Sequence, residues 1–355
     1  MNYLDPFKVL LPAAVSFIVG ILISPIVIRI LLHYKIWKKK NITKSIDGTA
    51  ATITATLHND EEKKLLRMGG IVVWFSVFFT ALLFWFISKV YPTSFTEKLV
   101  FISRNQTWLP LMGMLVGALV GGLDDYLVSR PAEKNGSYVG GGLSFPVRLG
   151  SVAAMGLFAA LWFNIKLGVE SVYLPFYGFF HLGGVLFIIF FVITTVALFS
   201  TSVIDGIDGL SGGIFSAIFS AFGAIAFMHH QFDISALCFV IAGGILAFLW
   251  FNIPPASFMM GETGIMAILL ALSVIVFLTN AVLYLPIIAF PLVVTSSSVI
   301  LQLLSKKFLK KKLFLVAPLH HHFEAKGWPR QKIVMRYWIV SYICALLGVI
   351  VSLIS

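Results

Sequence analysis

The chain has 355 residues, of which 59% are hydrophobic and 12% charged, and a mean hydropathy of +0.96. Soluble domains carry roughly 25% charged residues, so the composition excludes a soluble globular enzyme and predicts an all-α integral membrane protein. The net charge of +11 follows from membrane topology and attraction to anionic lipid, and nucleic acid is not needed to explain it.

A transmembrane helix needs about 20 consecutive apolar residues. Ten candidate spans follow along the chain, at 9–32, 70–90, 107–123, 146–165, 182–201, 211–228, 234–251, 263–280, 282–304 and 333–354. No short apolar region with a small-residue cleavage site precedes the first, which is therefore read as a retained helix. One polytopic domain, 1–355, accounts for the length, and the absence of an internal repeat argues against inverted-repeat transporters. Cys238 and Cys344 fall inside spans and are expected to be unpaired.

Orientation follows from the basic residues. Loops 33–67, 124–148 and 305–332 hold 19 of the 26 lysines and arginines. With ten spans these loops share one side, which is predicted to be cytoplasmic, with both termini outside. Five acids are expected at span ends on that side: Asp124 and Asp125 after the third span, Asp205 and Asp208 after the fifth, and Glu262 before the eighth. A carboxylate at the bilayer centre costs on the order of 3 kcal/mol, so acids kept near apolar spans are expected to have a use.

Each motif has its own chemistry. In Gly121-Gly122-Leu123-Asp124-Asp125-Tyr126, adjacent carboxylates repel unless a cation or proton lies between them, and magnesium suits hard oxygen ligands. In Ile204-Asp205-Gly206-Ile207-Asp208-Gly209-Leu210, the Asp-Gly repeat predicts a tight turn into an apolar helix, whose free N–H groups favour an anion. Phe251-Asn252 and Gly261-Glu262-Thr263-Gly264 supply a hydrogen-bonding amide and a further acid, although Glu262 also reads as a helix-dipole partner. Ala317-Pro318-Leu319-His320-His321-His322-Phe323-Glu324 places three imidazoles where a polar surface loop is expected, able to hold phosphate, sugar hydroxyls or metal. Acids, glycine turns and a basic rim on one face suit a phosphate-bearing substrate, since phosphoryl transfer depends on positioning and charge neutralisation.

In this order, and with Met68-Gly69-Gly70 before them and Val334-Met335-Arg336-Tyr337-Trp338 after, these motifs resemble the phospho-N-acetylmuramoyl-pentapeptide transferase family. That family lies within the polyprenyl-phosphate N-acetylhexosamine-1-phosphate transferases. The resemblance runs from about residue 20 to the end, and the histidine stretch points to the muramoyl branch. It implies ten transmembrane helices and an active-site cleft on the cytoplasmic side of a bacterial inner membrane. It also implies a homodimer, Mg2+ as cofactor, and transfer of phospho-MurNAc-pentapeptide from UDP-MurNAc-pentapeptide to undecaprenyl phosphate with release of UMP.

Carried over by position, Asp124, Asp125 and Glu262 are the implied catalytic and metal-binding acids. Lys63, Arg148, Asp205, Gly206, Ile207, Asp208, Asn252, His320, His321 and His322 are the implied substrate-binding residues. The chain departs from the family pattern at Glu262 (usually Asp), Ile265 (usually Ser), Ser202-Val203-Ile204 (usually Asn-Leu-Thr) and Leu65-Leu66-Arg67 before the Met-Gly-Gly turn. Arg148 stands where lysine is usual, and Met259 where a uracil-stacking aromatic is expected, with Phe258 one place away. A related transferase using another UDP-amino sugar, such as UDP-GlcNAc, and a non-catalytic membrane protein remain as alternatives.

Overall fold

A computed structural model describes residues 4–37, 65–103, 106–130 and 142–355. Lys63 lies outside the described residues. Ten helices among them are long and apolar enough to cross a membrane. They are α1 (Leu4–His33), α2 (Ile71–Val90), α4 (Trp108–Ser129), α5 (Phe145–Leu167), α6 (Gly184–Phe199, its span continuing to Ile204), α7 (Leu210–Met228), α8 (Phe232–Asn252), α9 (Gly261–Leu278), α11 (Phe290–Leu304, its span continuing to Leu309) and α13 (Arg330–Ile354). Short helices α3 (Ser94–Leu99), α10 (Leu285–Ile288) and α12 (Leu319–Ala325) lie between them.

The helices α7, α8 and α9 form the centre and are buried along most of their length. The outer helices expose large apolar side chains such as Leu22, Ile165, Ile193 and Ile339. On a soluble protein so much exposed apolar surface would aggregate; on a membrane protein it meets lipid. At one end Phe163, Phe187, Phe191 and Phe277 lock α5, α6 and α9 together, with the Phe191 and Phe277 rings stacked at 4.1 Å.

Lipid gives helices no hydrophobic reason to associate, so close approach of small residues matters more than in water. The pairing of α4 with α9 shows this. Gly113, Gly117 and Gly121 fall on one face of α4, and a Cβ there would press on the carbonyl oxygens of Leu270, Met266 and Glu262. Asp124 and Asp125 follow within a turn of Gly121, so the same contact carries them to the start of α9.

Two span boundaries differ from the sequence expectation, and a hairpin joins two of the helices. The third span does not stop before its acids: α4 continues to Ser129, and Asp124 and Asp125 are buried inside it. Inside it, protein donors engage both oxygens of Asp125 and one of Asp124, which stand in for water. Between α5 and α6, Ser171–Leu174 pairs antiparallel with Gly178–His181, in register Ser171↔His181. Phe176, at φ 66°, sits in the intervening turn. The ninth span is not one helix from 282. A 3-10 turn at Val282–Tyr284 and α10 precede α11, with Pro286 and Pro291 in the first turns of α10 and α11. Proline is tolerated at such starts and breaks a helix running through it.

Leucine at Gly117 should therefore force α4 from α9. Overpacking of this kind costs about 1–3 kcal/mol or more. Thermal unfolding of Gly117→Leu in detergent should show a lowered midpoint, whereas Leu119→Ala on the exposed face should leave it nearly unchanged.

Candidate active site

The end of α4 with residues 142–144, the turn after α6, the segment after α8 and residues 65–70 before α2 meet at one end of the bundle. Residues 66–70 run alongside 258–260: Met259 N–H donates to Leu66 O at 2.8 Å, and Gly69 and Gly70 donate to Met259 and Met260 oxygens. This places Arg67 against α4, where its Nε donates to Asp125 Oδ1 at 3.0 Å. The other oxygen of Asp125 accepts the Thr263 N–H at 3.0 Å, in the first turn of α9. Gly261, at φ +70°, gives the chain its bend into α9, and a side chain there would strike Asp125 Oδ2. Its N–H donates to Asp205 Oδ2 at 3.0 Å.

Asp124 and Glu262 are bound less tightly. Asp124 Oδ1 accepts the Leu143 N–H at 2.7 Å, and its Oδ2 lies 3.9 Å from Arg148 Nη1. The same Arg148 nitrogen donates to Glu262 Oε1 at 2.9 Å, from the first turn of α5. Glu262 Oε2 is buried without a hydrogen-bond partner. A buried charge left in this way invites a cation or donor from a ligand.

Among the described residues no cluster of three or more His, Cys, Asp or Glu forms a protein-only metal cage. Magnesium does not need one: it is commonly held by one or two carboxylates, with waters and substrate phosphates completing the shell. The unpartnered Glu262 oxygen and the loosely held Asp124 oxygen fit that pattern.

The Asp-Gly turn lies beside this cluster. Asp205 accepts from Ser211 Oγ at 2.8 Å and from Gly261 N–H. Burial pushes its carboxyl above the usual range, against the opposing effect of these hydrogen bonds and of Arg67. Asn252 clasps the turn: its Oδ1 accepts the Gly209 N–H at 2.8 Å, and its Nδ2 donates to Phe258 O at 2.7 Å. Both ends of the amide are thus engaged by backbone. The Ile207 side chain is buried in the core. From α13, Trp338 Nε1 donates to Gly209 O at 3.0 Å.

The histidines are not in a loop. They lie on α12, and His320 is fully buried with neither ring nitrogen partnered. Burial, and then His321 beside it, holds its pKa well below the ordinary value, so it is neutral. A methyl group on Gly206 would lie 2.5 Å from His320 Nε2 and 3.0 Å from His321 Nε2, so only glycine fits against these rings. His322 turns away, accepting the Leu315 N–H at its Nδ1 at 3.1 Å.

Phe258 is buried and stacked on Phe248 at 5.4 Å, so it is not poised to stack on a base; Met259 is partly exposed. Arg67, Ser211, Gly261 and Thr263 belong to the site but were missed as site residues in the sequence. For Arg67, a basic residue just before a glycine pair and matched to a buried acid was the available signal.

Residues 107–281, which contain the paired acids, the Asp-Gly turn and Glu262, match the family model described as glycosyl transferase family 4. Curated relatives extend the match beyond that region. The chain is 33% identical over 313 residues to a phospho-N-acetylmuramoyl-pentapeptide-transferase of Chlorobium phaeobacteroides, covering 79% of this chain and 78% of the relative. It is 31% identical over 341 residues to the protein of that name from Listeria monocytogenes, covering 95% and 96%. The chain belongs to the phospho-N-acetylmuramoyl-pentapeptide-transferase family.

Replacing Asn252 by alanine should leave the Gly209 N–H and Phe258 carbonyl without their partner. A buried unsatisfied group costs about 1–3 kcal/mol. The unfolding midpoint of Asn252→Ala should fall, and so should that of Asn252→Asp, which keeps the acceptor for Gly209 but sets a second oxygen against the Phe258 carbonyl.

Proposed function

We propose that this protein transfers phospho-MurNAc-pentapeptide from UDP-MurNAc-pentapeptide to undecaprenyl phosphate, producing a lipid-linked sugar and UMP for peptidoglycan synthesis. The observation that carries the reading is the meeting of Asp124, Arg148 and Glu262 at 2.9–3.9 Å, with one Glu262 oxygen unpartnered, in a chain of this family. The membrane context fits a lipid acceptor. The inner membrane, a cytoplasm-facing site and a homodimer belong to the same proposal, supported by the basic loops and by the family.

An oxygen of the lipid phosphate attacks the sugar-proximal phosphorus of the nucleotide sugar. The bond from that phosphorus to the bridging oxygen breaks, and UMP leaves with the electron pair. Asp124 is the better placed base for a protonated lipid phosphate, because Asp125 has both oxygens engaged by Arg67 and Thr263. Asp125 instead orients Arg67 and the start of α9. Arg148 orients Glu262 and adds positive charge near the transferred group. Magnesium, held by Glu262 and Asp124, would supply charge neutralisation at the pyrophosphate. The Asp205–Asp208 turn and the α12 histidines receive the nucleotide side.

UMP release by the purified protein, with undecaprenyl phosphate and magnesium, should occur with UDP-MurNAc-pentapeptide and not with UDP-GlcNAc. The reverse preference would move the protein to a sister activity. Glu262→Gln and Asp124→Asn should each slow release on the order of a hundredfold or more; undiminished turnover in Glu262→Gln would remove it from this role.

A further inference from the structure

Arg67 carries a charge to which the mechanism above gives no contact with substrate. Its backbone is held from two sides. Its N–H donates to Ile36 O at 3.0 Å, and the preceding Leu66 forms bridges to both Trp37 and Phe258. Neighbouring side chains of an extended segment point to opposite faces; Leu66 is buried in the core, and Arg67 turns to α4. There its Nε donates to Asp125 Oδ1 at 3.0 Å, and Asp125 is itself fixed by the Thr263 N–H. The guanidinium is thus anchored at its backbone and aimed at its Nε.

That contact uses one of the five N–H groups of an arginine. It is the only hydrogen bond of the Arg67 side chain among the described residues. The side chain is 25% exposed, and its two Nη atoms are not among the polar atoms sealed inside the protein. An arginine that served only to neutralise a carboxylate would gain most from two parallel bonds to it. Asp125 instead has its second oxygen on Thr263 and takes Nε alone. The Nη pair is left to open space, with Glu262 and Asp205 near enough for their charge to act on it.

Placement narrows the ligand. Gly261 joins two of the acids: its N–H donates to Asp205, and its bare Cα lies against Asp125 Oδ2. Arg67 therefore stands where the Asp205–Asp208 turn meets the acids of α4 and α9. In a nucleotide sugar bound as proposed, the group that spans this junction is the nucleoside-side phosphate. A planar guanidinium fork matches phosphate oxygens.

We infer that Arg67 binds the nucleoside-side phosphate of the donor through its Nη pair and stabilises it as it leaves with UMP, while Asp125 holds the guanidinium at the required angle. The inference rests on the function proposed above. The competing account is that Arg67 only neutralises Asp125, and the two differ in what they predict.

Calorimetric binding of UMP, uridine and inorganic pyrophosphate to the full chain in detergent, with magnesium, tests this without turnover. Arg67→Lys is the first variant: lysine keeps the charge but cannot bond Asp125 from one nitrogen and a phosphate from two others in the same plane. Its affinity for UMP and for pyrophosphate should fall about tenfold or more, with uridine binding and the unfolding midpoint nearly unchanged. Arg67→Gln combined with Asp125→Asn leaves no buried charge unpaired and should lose the same preference for UMP over uridine, so the result does not depend on the folding of one variant. Unchanged UMP and pyrophosphate affinity in Arg67→Lys would overturn the inference. So would equal weakening of UMP and uridine, the mark of a merely structural ion pair, and so would a wild type that binds neither phosphate ligand. A wild type that binds pyrophosphate through Arg67 but neither UMP nor uridine would keep the phosphate contact and overturn the functional reading alone.

Discussion

The arrangement depends on how closely α4 and α9 approach. Their contact has no side chains where Gly113, Gly117 and Gly121 meet the α9 carbonyls, and in lipid such close packing is a main source of helix association. The glycine face leads directly into Asp124 and Asp125. The distance between two backbones therefore sets whether Asp125 reaches the Thr263 N–H and whether Asp124 and Glu262 share Arg148.

Charge is the second constraint. Five acids lie at this end of the bundle, and burying them unpaired would be prohibitive. Arg67 and Arg148 answer part of that charge, and backbone N–H groups of Leu143, Gly261 and Thr263 answer more. One Glu262 oxygen remains unanswered. The result is a site organised before substrate arrives, with its residual demand for positive charge at one place. Preorganised charge of this kind is what phosphoryl transfer uses. His320, which burial keeps neutral, packs with His321 against Gly206 in the Asp-Gly turn beside this cluster.

The ten spans were legible because apolar runs of this length leave few alternatives, and the motifs carried the family. Asp205, Asp208, Glu262 and the histidines stood out in the sequence as polar groups at the ends of apolar runs. What sequence did not reveal depends on distant partners. Asp124 and Asp125 stay helical because of Arg67, Leu143 and Thr263, and no local pattern announces those contacts. The histidines appeared to need solvent, yet His320 is enclosed against Gly206. The hairpin at 171–181 is two four-residue strands in a segment without a strong alternating pattern. Asn252 looked like a substrate contact and is engaged by two backbone groups, one of them 43 positions away.

The central claim is that this cluster of acids and arginines moves the sugar-proximal phosphorus from nucleotide to lipid. The most direct test is UDP-MurNAc-pentapeptide carrying radioactive phosphorus at that position alone, incubated with the purified protein, undecaprenyl phosphate and magnesium. The account predicts label in the organic-extractable lipid and unlabelled UMP in water, both lost in Glu262→Gln. Label remaining in the aqueous phase while UMP is released would mean hydrolysis rather than transfer, and would contradict the account.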